Sequence, residues 1–187
     1  EIRLKSSSGG IFTLLALQII AEGGVVFGAR FNENWEVIHD YAETVEGLEA
    51  FRGSKYMQSV IGDNYKYAKQ FLLEGRKVLF SGTPCQIAGL KKYLQKEYEN
   101  LLTLEVVCHG VPSPKVWRDY LKFSKNNFKE KVKELSSEGN LDISNVTFRD
   151  KANGWKNYNV KISYSLDNVN NSSLSCNLNE LTPFKDN

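Results

Sequence analysis

Cysteine is scarce in this 187-residue chain: there are three, an odd number at irregular spacing. That excludes the evenly paired framework of a small secreted disulfide scaffold. An excess of one charge is missing as well. The 24 Lys and Arg nearly cancel 22 Asp and Glu, leaving +2, so nothing marks a binder of nucleic acid or of anionic membranes. Nor does any apolar run approach the roughly 18 residues of a membrane span. The most apolar stretch, Ile11 to Ala21, contains Thr13 and Gln18 and reads as a buried helix. A basic segment followed by an apolar core and a cleavage site is also lacking, so no secretory signal is expected and the cytoplasm is the expected compartment. The chain opens at Glu1 without a Met and is expected to be a piece of a longer protein. Internal repeats are absent. What is present is an ordinary globular composition, 41% apolar and 25% charged, long enough to bury a core without disulfides or a metal.

The pattern along the chain predicts an α/β fold: a central, largely parallel sheet with flanking helices, plus a small antiparallel β appendage near the C-terminus. Ser6-Ser7-Ser8-Gly9-Gly10 precedes the helix Ile11–Ala21, and Gly23-Gly24 ends it. Val25–Phe31 reads as a strand with Glu36–Tyr41 as its hairpin partner. A short helix over Thr44–Phe51, a strand or loop over Ser54–Ser59 and a helix over Asn64–Glu74 follow. Lys77–Ser81, a helix from Thr83-Pro84 to about Tyr98, and Leu101–Val107 then form a βαβ unit, whose strands must be parallel. Pro114–Phe123 is predicted as a further helix and Lys125–Ser137 as a solvated helix or excursion. Asn145–Arg149 and Tyr158–Tyr164 read as an antiparallel pair, and Asp167–Asn179 as mild low complexity. A soft boundary falls near Ser124, dividing a core (1–124) from a β-rich extension of the same domain (125–187).

Parallel strands place their carboxyl ends on one edge of the sheet, where open α/β sheets bind ligands. Cys85 sits at the second helical position after the first strand of the βαβ unit, and Cys108 follows the end of the second. The first-turn N–H groups and the helix dipole favour a thiolate at Cys85, able to attack an electrophile, exchange with a disulfide or bind a soft metal. His109, next to Cys108, is one of two histidines and is the candidate catalytic residue, as a base, a cofactor contact or, on the plainer reading, a hydrogen-bonded loop residue. His39, in the hairpin, reads as structural, and Cys176 as an incidental thiol. Ser7, Ser8, Gly9 and Gly10, before a helix, suit an anion. Gly53-Ser54-Lys55-Tyr56 adds a cation and a ring suited to a phosphate or a flavin. With Thr83, these residues are the cofactor-binding candidates. The Lys-Ser/Thr ending of a Walker loop is missing, and the glycines have the wrong spacing for a dinucleotide fingerprint.

Five segments together carry a resemblance: Ser6–Phe12 (SSSGGIF), Gly53–Ser59 (GSKYMQS), Ser81–Leu90 (SGTPCQIAGL), Val107–Pro114 (VCHGVPSP) and Phe148–Trp155 (FRDKANGW). In this order the chain resembles the coenzyme F420 hydrogenase/dehydrogenase beta-subunit family. The resemblance implies a flavoprotein oxidoreductase passing electrons between FAD, a 4Fe-4S cluster and a deazaflavin (coenzyme F420) or another acceptor. It implies Cys85 and Cys108 as cluster ligands, with further cysteines outside this stretch, and places the two loops near the flavin. A ferredoxin-like electron donor or a partner redox subunit is the expected partner, with no nucleic acid and no membrane span.

Two other readings stand beside it. A thiol enzyme would use Cys85 as nucleophile and His109 as base. A non-catalytic interaction module would display Trp117 and Tyr120, or Trp155 and Tyr158, as a patch, although core packing is the ordinary fate of such rings.

Overall fold

The structure, a computed structural model, describes residues 2–133, 141–150, 159–166 and 174–177. Its contacts divide the chain into Glu1–Pro112 and Ser113–Asn187. The boundary expected near Ser124 lies instead within a continuous helix, Pro114–Lys133.

In the first unit, α1 (Ile2–Lys5) and α2 (Ile11–Ala21) precede the hairpin of β1 (Val25–Phe31) and β2 (Val37–Ala42). The 3-10 turn Gly47–Phe51 and α3 (Asn64–Leu73) lead to β3 (Val78–Gly82), α4 (Pro84–Leu94) and β4 (Leu101–Glu105). The strand order is β2-β1-β3-β4. β1, β3 and β4 are parallel, and β2 is an antiparallel edge. This is the largely parallel sheet expected from the sequence. Of the segment 54–59 none becomes a strand, and only Val60 bridges to Ile38.

Alternation along the strands sends side chains to two cores. Val25, Phe27, Val78 and Phe80 face Ala68 and Leu72 of α3 and Ile87, Leu90 and Leu94 of α4. Val26 and Leu79 face Ala16 and Ile19 of α2, with Leu48 and Phe51 of the 3-10 turn. Because both faces are covered, Val25–Phe27 of β1 and Val78–Phe80 of β3 are unbroken apolar runs, as buried parallel strands tend to be. Phe27 and Phe80 stack across the strand pair at 5.2 Å. Each fully buried side chain of this size contributes about 1.5–3 kcal/mol, so these central strands form a rigid base for the loops at their ends. α2 closes through Gly23 (φ 74), and Arg76 donates to the Gly23 carbonyl while pairing with Glu43 at 2.6 Å.

The second unit has α5 (Pro114–Lys133) and the sheet β5 (Leu141–Asp150), β6 (Asn159–Leu166), β7 (Leu174–Asn177), antiparallel throughout. This is the antiparallel β appendage expected near the C-terminus. Its third strand falls in the Asn/Ser-rich stretch, where no strand was expected. Ser124 and Tyr164, both buried, share a hydrogen bond of 2.5 Å, and Phe128 stacks on Tyr164 at 4.5 Å. Trp117 is buried against Phe148, so it packs in the core of this unit. Trp155 and Tyr158 lie outside the described residues.

Candidate functional site

The register of β3 and β4 pairs Gly82 with Glu105, the last residue of each strand. Val106 N–H extends the pairing by donating to the Gly82 carbonyl at 2.9 Å. Cys85 and Cys108 each stand three residues beyond that matched pair, and both are free and exposed. The two sulfurs therefore leave from adjacent strand ends on the same edge. Among the described residues no group of three or more His, Cys, Asp or Glu side chains converges as a metal site. His109 lies exposed in the turn after β4 and makes no hydrogen bond among the described residues. Cys176 is on β7, in the other unit.

Cys85 is held by local chemistry. Thr83 is the N-cap of α4 and Pro84 its first residue, a pairing that satisfies orphan N–H groups and presets the entering backbone. Gln86 completes a capping box: its side-chain oxygen accepts from Thr83 N–H at 3.0 Å, and its own N–H donates to the Thr83 carbonyl at 2.9 Å. Thr83 Oγ1 also lies 3.1 Å from Cys85 Sγ. Thr83, not His109, is thus the polar partner of the Cys85 sulfur. Tyr65 of α3 donates to the Gln86 carbonyl at 2.7 Å, and its own pKa is raised, first by burial and then by the nearby Cys85 charge.

His39 is joined to this helix start along the face of the sheet that α4 covers. Its partner on β1 is Ala29, whose methyl leaves room for the imidazole to reach β3. His39 Nε2 lies 2.9 Å from the Ser81 carbonyl, which can only accept, so this nitrogen carries the proton and Nδ1 accepts from Ser59 Oγ at 2.8 Å. Ser59 Oγ in turn accepts from Gln86 Nε2 at 2.8 Å. The ring stacks on Phe80 at 5.4 Å and is 4% exposed. Burial lowers its pKa below the ordinary 6.5, partly opposed by the Ser81 carbonyl. The unfolded chain therefore binds the proton first as pH falls, so this group's stabilising contribution declines below about pH 6.5. We expect the melting temperature to fall between about pH 7 and pH 5, and His39→Phe to flatten that part of the profile. A calorimetric pH series checks this, and equal slopes in both proteins would refute it.

Sequence reasoning missed this link. It treated His39 as structural and gave Ser59 and Gln86 no role, although both lie inside the segments GSKYMQS and SGTPCQIAGL. Their spacing along the chain does not reveal that the two segments meet at a third strand.

The flavin-loop candidates also come together. Ser7 Oγ accepts from Ser54 N–H at 2.7 Å across 47 residues, tying the serine-glycine segment to the Gly-Ser-Lys-Tyr loop. Gly10 is the N-cap of α2 with φ 91, and a Cβ there would stand 2.9 Å from Ile2 Cγ2; only glycine fits both constraints. Ser8 and Gly9 are exposed, and Tyr56 is 44% exposed. Lys55 Nζ donates to the carbonyls of Arg52 (3.0 Å), Gly53 (3.2 Å) and Phe51 (3.4 Å), capping the end of the 3-10 turn. Burial lowers its pKa to about 8. Beside these loops is a cleft of about 150 Å³ lined by Ile2, Lys5, Thr13 and Arg52. Whole-cofactor sites usually occupy about 300–1,000 Å³, so this cleft has room for no more than a phosphate-sized group beside Lys5 and Arg52, the latter also paired with Glu49 at 3.0 Å.

Residues 75–178 match the family model for the C terminus of the coenzyme F420 hydrogenase/dehydrogenase beta subunit. The matched range contains both edge cysteines. The chain is 31% identical over 150 residues to the coenzyme F420-dependent sulfite reductase of Methanocaldococcus jannaschii, covering 76% of this chain and 23% of that protein. The fold is similar to a chain of the F420-reducing NiFe hydrogenase complex from Methanosarcina barkeri, solved as a xenon derivative. The TM-score is 0.54 at 17% identity, covering 96% of this chain and 57% of that one. This chain therefore spans only part of each relative.

Proposed function

Because the chain belongs to the coenzyme F420 hydrogenase/dehydrogenase beta-subunit family, we propose that it is the flavin- and cluster-handling part of an oxidoreductase. Its acceptor or donor would be a deazaflavin such as coenzyme F420, and electrons would pass to or from a ferredoxin-like protein or a partner redox subunit. The observation that carries this reading is the pair of exposed cysteines beyond the matched ends of β3 and β4.

The residues present suit both groups. A four-iron cluster takes four cysteine thiolates; Cys85 and Cys108 would supply two, and the remaining ligands would come from outside the described residues. The helix start leaves the Cys85 sulfur exposed, with the Thr83 hydroxyl 3.1 Å away, open to ligation. Lys5 and Arg52 would hold the anionic end of a flavin in their cleft, with Ser7 and Ser54 fixing the two loops against each other. Bound FAD would supply the exchange between hydride and single-electron chemistry. The chain's own part is binding, orientation and electrostatics. His109, exposed beside Cys108, would meet the substrate or cofactor from the turn after β4.

Anaerobic purification of the full-length protein, followed by visible spectra with iron and flavin analysis, tests the reading. We expect flavin and iron in whole-number ratios to protein. Well-folded protein holding neither would end it.

A further inference from the structure

We propose that His39 is a positioning residue for Cys85: the buried imidazole, acting through Ser59 and Gln86, fixes the Thr83 cap that presents a hydroxyl to the Cys85 sulfur. The chain of contacts is unbroken. His39 Nδ1 to Ser59 Oγ is 2.8 Å, Ser59 Oγ to Gln86 Nε2 is 2.8 Å, Gln86 Oε1 to Thr83 N is 3.0 Å, and Thr83 Oγ1 to Cys85 Sγ is 3.1 Å.

Every link but the last has one direction. The Ser81 carbonyl requires a proton on His39 Nε2, so Ser59 must donate to Nδ1. Its hydroxyl proton being committed, Ser59 Oγ is left as an acceptor for the Gln86 amide. That orients Gln86 with its oxygen toward Thr83 N–H. Gln86 N–H donates to the Thr83 carbonyl at 2.9 Å, and the Thr83 hydroxyl lies 3.1 Å from the Cys85 sulfur, a contact in which either atom can be the donor. An ordinary capping box needs only Thr83 and Gln86. Here the amide is also gripped from behind by a serine 27 residues earlier and a histidine 20 residues before that. His39 and Ser59 are 4% and 8% exposed, and buried polar chains of this kind hold their members to one arrangement when fully satisfied. The inference rests on Cys85 being a working residue of this edge.

The test compares thiols within one molecule. The full-length protein, reduced and freed of any bound metal by a chelator, is labelled with iodoacetamide, and mass spectrometry counts Cys85 and Cys108 separately. Cys108, three residues beyond the neighbouring strand, is the internal standard. Ser59→Ala and His39→Phe are each expected to lower the Cys85-to-Cys108 labelling ratio roughly fivefold, the scale of one lost hydrogen bond. The double variant is expected to lose little more than either single one, because both act through one chain. A role in stability alone would lower the melting temperature and leave the ratio unchanged. An unchanged ratio in either folded variant, or additive losses in the double variant, would overturn the proposal. His39→Phe keeps an aromatic ring against Phe80, so it tests the link if Ser59→Ala does not fold. Since labelling is read on metal-free protein, its failure leaves the cluster reading intact. Lack of iron in the untreated protein leaves the labelling result readable.

Discussion

Cys85→Ser in the full-length protein is expected to lower electron transfer by at least about a hundredfold and to strip most of the iron from the protein. Losing a supporting group in a metal site already costs about 10–100-fold, and a ligand lost outright costs no less. Serine keeps the shape of the helix start and its hydrogen-bonding capacity, so the fold is expected to survive: position 85 is exposed and Thr83 with Gln86 still caps α4. Iron content, the visible spectrum and turnover are measured together, with Cys176→Ser as the control from the other unit. Full iron and full turnover in Cys85→Ser would remove Cys85 from the redox centre. A loss of turnover with iron retained would make it a reacting thiol instead.

The second large effect comes from a glycine inside the sheet. Gly28 lies in β1, and a Cβ there would stand 2.8 Å from Phe51 Cγ and 3.1 Å from Phe51 Cβ. Phe51 ends the 3-10 turn, and its carbonyl, with those of Arg52 and Gly53, receives the Lys55 ammonium. Pressure on Phe51 is therefore passed to the loop that meets Ser7 and borders the cleft. Gly28→Val is expected to cost about 1–3 kcal/mol of stability, as overpacking does, and to weaken flavin retention roughly tenfold through misplacement of the loop. Thermal unfolding and flavin content after dialysis measure both. Wild-type melting with full flavin would show that Phe51 does not hold the loop in place.

Much of this architecture was legible in the residues. The βαβ unit was marked by an apolar run, a Thr-Pro helix start and a second apolar run, and handedness with strand direction did the rest. That was enough to place Cys85 and Cys108 on one edge. The helix from Pro114 was harder: the run of Lys and Glu after Phe123 reads as solvated surface, yet Phe128, one turn beyond Ser124 and two beyond Leu121, keeps a buried stripe. β7 was hidden because Asn and Ser carry no period-two signal, and its pairing is supplied by β6. The cleft and the buried link were not legible at all. Both arise where segments distant in the chain meet, and polar residues such as Ser59 and Gln86 look alike in sequence whether they are solvated or enclosed.

Lys55 has one more consequence. A typical lysine keeps its charge through any mildly alkaline buffer, but this one reaches its midpoint near pH 8 against an ordinary 10.5. Its enclosed charge weighs against the native state at neutral pH, and that handicap eases as alkali rises from about 8 to 10.5, because the unfolded chain then holds the proton longer. Over the same interval the carbonyls from Phe51 to Gly53 exchange an ammonium for a neutral amine. The end of the 3-10 turn is thus capped by a charge that mild alkali removes.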